Sequence, residues 1–165
     1  MPDTLGNPRP GLRRWVCSSL ELPMGREIVI ELHHDGTVVI AANVSWLRGR
    51  EEPPAETDDL PVPERLVETC CYDLVTTVQE LQRKLRLDST LQITAALTTP
   101  SGPRAMAPLT SAFHDVTGLD STPSFARRPH HLQPVHALLS PAAGDDEART
   151  TAEELHADLM NQFGV

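Results

Sequence analysis

A chain of 165 residues, 39% of them hydrophobic, is the size of one domain and can bury a core without disulfides or a metal. Its formal net charge of -9 opposes a general attraction to nucleic acid or anionic lipid, because phosphate binding needs clustered Lys and Arg and the sequence offers only small groups: Arg13–Arg14, Arg127–Arg128, and Arg83, Lys84 and Arg86, which complement the negative end of an expected helix. Three cysteines, Cys17, Cys70 and Cys71, with no CxxC, read as reduced thiols in a cytoplasmic protein, and no run reaches the roughly eighteen apolar residues that cross a membrane.

Residues 1–12 hold Pro2, Pro8, Pro10, Gly6 and Gly11 and read as a mobile N-terminal arm, with 13–165 as a single domain. The segment after Arg13 and Arg14 is too short and too polar for a secretory signal, so the Asn43-Val-Ser45 sequon carries no expectation of glycosylation. Lys84 is the single lysine among fourteen basic residues, a composition that fits coding bias in a GC-rich, actinobacterial-like genome.

Arg14 to Leu22 suits an edge strand. From Arg26 to His33 the residues Ile28, Ile30 and Leu32 alternate with Glu27, Glu31 and His33, and from Thr37 to Trp46 the residues Val38, Ile40, Ala42, Val44 and Trp46 alternate with Thr37, Asn43 and Ser45. These are two strands of one hairpin, and its loop follows from register. A two-residue Asp35-Gly36 loop sets Leu32 against Val39 and mixes apolar with polar positions. A three-residue loop, His34-Asp35-Gly36, pairs Leu32 with Val38, Ile30 with Ile40 and Ile28 with Ala42. It keeps one apolar face and puts Gly36 at the left-handed position of a G1 bulge.

Residues 47–62 form an acidic, proline-rich loop that feeds the helix expected over Pro63 to Leu87, with Pro63 at its first position. Apolar residues at Leu66, Cys70, Leu74, Val78, Leu81 and Leu85, with a second row at Val67, Cys71 and Val75, make a broad stripe. Leu74 and Val78 are expected at the centre of the core, facing Ile30 and Ile40. Leu91 to Leu97 reads as a third strand, parallel to Thr37–Trp46 through a helical crossover and with one wet face. Seven prolines make 100–141 irregular, with a short helix expected over Pro108–Val116 and a strand over Gln133–Leu139. From Asp145 the helical spacing of Ala148, Ala152, Leu155, Leu159 and Phe163 returns. Capping boxes are available at Thr150 or Thr151, and Gly164 serves as the stop. The expected class is α+β, a two-layer sandwich of the hairpin and one or two further strands on a long central helix, with a C-terminal helix.

The order of a hairpin around Glu31-Leu-His-His-Asp-Gly36, the long helix, the Leu91–Leu97 strand and the ending Thr150 to Gly164 resembles the accessory region that follows the Schlafen/Alba-type module in actinobacterial DNA-binding or ATP-binding regulators. The likeness runs over residues 20–164. It implies an accessory role beside a separate module. The Schlafen/Alba-type module itself is not visible, so no nucleic-acid or ATP site is carried onto any residue.

No GxGxxG, P-loop, GxSxG, HExxH or EF-hand loop occurs, which leans against the common enzyme classes and names no catalytic residue and no cofactor. Metal candidates are His33, His34 and Asp35 at the hairpin turn and His130, His131 and His136 in the proline-rich region; spacing alone does not bring them together, so no metal site is expected. Cys70 and Cys71 point about a hundred degrees apart on a helix and read as buried structural thiols. His114-Asp115 beside a serine is best explained by chance adjacency. The function expected is a non-catalytic protein-interaction or accessory module, self-associating or binding another protein, without nucleic acid or membrane. The alternative is a small-molecule-binding protein or enzyme with a pocket between the sheet and the 100–141 segment.

Overall fold

The computed structural model describes residues 9–11, 13–18, 28–42, 59–98, 104–114 and 120–165. They fall into two compact units, Met1–Pro53 and Pro54–Val165, where the sequence suggested one domain over 13–165, and each unit is described by itself.

The N-terminal unit is a four-stranded antiparallel meander of β1 (Arg9–Gly11), β2 (Arg14–Ser18), β3 (Ile28–His33) and β4 (Val38–Ala42), in that order across the sheet. The β3–β4 register is the one the apolar pattern requires: Leu32 opposite Val38, Ile30 opposite Ile40, Ile28 opposite Ala42. The loop closes with Gly36 N–H donating to the His33 carbonyl at 3.0 Å and His33 N–H to the Thr37 carbonyl at 2.8 Å, and Gly36 has φ +90. The Asp35 carboxylate accepts from the Thr37 amide at 2.9 Å, a bond that holds its pKa below the usual carboxylate range. Two expectations are corrected here. Residues 9–11 of the supposed arm are a strand, and β2 is an inner strand because β1 covers its second side. Val44 and Trp46 lie outside the described residues.

The C-terminal unit carries the α+β core. Here β5 (Leu60–Pro63) leads into the long central helix α1 (Glu64–Leu85), followed by β6 (Leu91–Ala95), β7 (Met106–His114), β8 (Asp120–Ser121), β9 (Val135–Leu139) and the C-terminal helix α2 (Asp145–Asn161). The crossover is real but joins other strands than expected. β5 pairs in parallel with β7, Leu60 opposite Met106, while β6 pairs antiparallel with β9 in a separate ribbon. The helix expected over 108–116 is instead the inner strand β7. Its Pro108 is tolerated because the main chain alternates. Leu60 N–H donates to the Ala105 carbonyl and Met106 N–H donates away from β5, to Pro129, so Pro108 also faces away from β5, before β8 begins pairing at Thr110. The same alternation turns Pro61 and Pro63 to the outer edge of β5, where no ladder bond is lost.

On α1 the row that reaches the centre is Val67, Cys71 and Val75, continued by Gln79 and Gln82, all buried. Leu74 and Val78, expected there, are half-buried at the rim; Ile30 and Ile40 belong to the other unit. The displacement has a physical cause, because α2 packs along the Val75 side of α1. Tyr72 Oη donates to Glu153 at 3.0 Å near one end, and Arg83 donates to Asp145 at 2.8 Å near the other, so the two helices run antiparallel. Ala148, Ala152, Leu155, Leu159 and Phe163 are buried as their spacing requires. The buried glutamines bond main-chain carbonyls of the adjoining loops and of the end of β9: Gln79 donates to the Ala143 carbonyl and Gln82 to those of Ser89 and Leu139. Pro63 is the N-cap of α1 and not its first helical residue, and Arg86, at φ 52, closes the helix in the left-handed conformation. α2 begins behind Gly144, with Asp145, Asp146 and Glu147 at the positive end of its dipole; Thr150 and Thr151 lie inside it and donate to the carbonyls of Asp146 and Glu147.

The described part of 100–141 is fastened into this unit. Arg127 N–H donates to the Phe163 carbonyl at 2.7 Å, Arg128 pairs with Asp59 at 2.7 Å, Gln133 and Gln162 exchange two hydrogen bonds, and Leu132 is buried. β9 matches the strand expected there, and the outer face of the β6–β9 ribbon is wet as its polar alternation implies: Gln92, Thr94 and His136 are exposed. Among the described residues no helix is long and apolar enough to cross a membrane.

Candidate interaction surface

The N-terminal sheet sorts its residues by face. Register and alternation place Pro10, Trp15, Leu32 and Val38 in one cross-strand row and Cys17, Ile30 and Ile40 in the next, with Ile28 and Ala42 beyond them, all on one side. The opposite side mixes Arg14, Glu31 and His33 with Val16, Val29, Val39 and Ala41. There one carboxylate oxygen of Glu31 accepts from Arg14 Nη1 at 3.0 Å and lies 3.0 Å from His33 Nε2.

The apolar side is open. An open depression of about 470 Å³ is lined on this side by Trp15 and Cys17 of β2 and Ile30 and Leu32 of β3, and also by Val16, which alternation assigns to the opposite side. Trp15 is 48% exposed and Leu32 45%, although both belong to the inner strands of the sheet. No residue of this unit whose burial is described reaches the buried class. Within the unit, no second layer of described residues covers this face. Trp15 and Leu32 were legible in the sequence only as strand residues; that they remain exposed depends on what packs on them, and alternation does not encode that.

The metal candidates are distributed as follows. His33 engages Glu31 on the mixed face, while His34 and Asp35 are exposed at the turn. His130 and His131 are exposed ahead of β9, and His136 Nδ1 meets Thr94 Oγ1 at 3.0 Å across the β6–β9 ribbon. Among the described residues no three His, Cys, Asp or Glu side chains converge to hold a metal ion. His114 ends β7, and Asp115 lies outside the described residues. Cys71 is buried, and burial pushes its thiol up to about 11, which makes it a poor nucleophile at neutral pH. The Thr110 hydroxyl and His156 Nε2 are buried without a hydrogen-bond partner among the described residues, and neither lines the depression.

No family model matches the chain, and neither a curated protein nor a solved structure matches it.

Proposed function

We propose that the chain is a non-catalytic interaction or accessory module that self-associates in the cytoplasm through the apolar face of its N-terminal sheet. One observation carries the reading: a sheet with a full apolar side has no described residue in the buried class. A single small sheet gains little from folding until another layer removes that side from water. A second copy supplies a self-complementary layer at no cost in new sequence, since a two-fold axis sets the same patch against itself. The accessory role implied by the resemblance to the region beside the Schlafen/Alba-type module agrees with this reading.

The alternative, a small-molecule binder or enzyme, draws support from the volume of the depression, which lies in the range of ligand sites. Its lining weighs against it, because Trp15, Val16, Cys17, Ile30 and Leu32 bring no charged group to orient a ligand. Sedimentation velocity on the purified chain tests the proposal. The expected result is a species heavier than one 18.1 kDa chain, shifted toward the single chain by Trp15→Ser with Leu32→Ser. A wild-type chain that sediments as a monomer at micromolar concentration, or an assembly indifferent to both substitutions, refutes it.

A further inference from the structure

We draw no further inference here: the strongest candidate, the row of half-buried Leu74, Val78 and Leu81 that runs to the exposed Leu85 along the rim of α1, is a partly covered apolar face, and nothing among the described residues shows what covers the rest of it.

Discussion

Ile30 and Ile93 hold equivalent places in two sheets of this protein, and their surroundings differ. Both are isoleucines at the middle of short strands with alternating patterns, and both point to the apolar side. Ile93 is 3% exposed within a core built by α1, α2 and the β6–β9 ribbon, whereas Ile30 is half-buried at the wall of an open depression. Alternation sorts side chains onto faces. Burial needs a second layer, and only the C-terminal unit has one among its described residues.

The largest effect that sharpens this contrast is Leu155→Ala. Leu155 is 1% exposed, and truncation should cost roughly 2 to 5 kcal/mol, the range for a leucine in a closed core. Leu32→Ala in the same dilute chain should cost under about 1 kcal/mol, since its side chain leaves little water-free volume behind. Urea denaturation at low protein concentration measures both. Equal costs would show that the N-terminal sheet is as well covered as the C-terminal core, and the contrast would collapse.

A smaller effect isolates the backbone of the open sheet. A Cβ built on Gly36 meets nothing within 4 Å, so Gly36→Val is opposed only by the positive φ, which a β-branched residue resists. The expected destabilisation is about 1 kcal/mol or more, with Gly36→Asn milder because asparagine tolerates that region. Thermal melts of the two variants give the order, and equal melting temperatures for wild type and Gly36→Val would contradict the loop geometry.

The smallest effect is electrostatic. The Arg83 guanidinium beside Asp145 holds that carboxyl below its usual range, as the Thr37 amide does for Asp35. Both folded-state pKa values are depressed, so these contacts stabilise above the unfolded value of about 3.9 and are lost as pH falls through the lower folded ones. The groups are exposed, so the acid loss is slight. Arg83→Gln should remove the larger part of the Asp145 share, leaving what the Gln79 hydrogen bond contributes, and should not touch that of Asp35, as NMR titration of the two carboxylates would show.

What the sequence by itself determined is local. The hairpin register follows from matching Ile28, Ile30 and Leu32 to Ala42, Ile40 and Val38, and the position of Gly36 follows from that register. Both helices, the α+β class and the buried row Ala148 to Phe163 follow from periodicity, which acts over one turn of chain. The tertiary structure decided what depends on distant partners. Met106 to His114 is a strand because β5 offers it a parallel neighbour, against a helical reading of Leu109, Ala112 and Phe113. Val75 and not Leu74 is central because α2 lies on that side of α1, and Gln79 and Gln82 are buried because carbonyls of Ala143, Leu139 and Ser89 meet them. The candidate surface divides in the same way: alternation assigns Leu32 and Ile30 to one face, but their exposure is set by whatever layer does or does not reach them, a long-range property with no local signal in the chain.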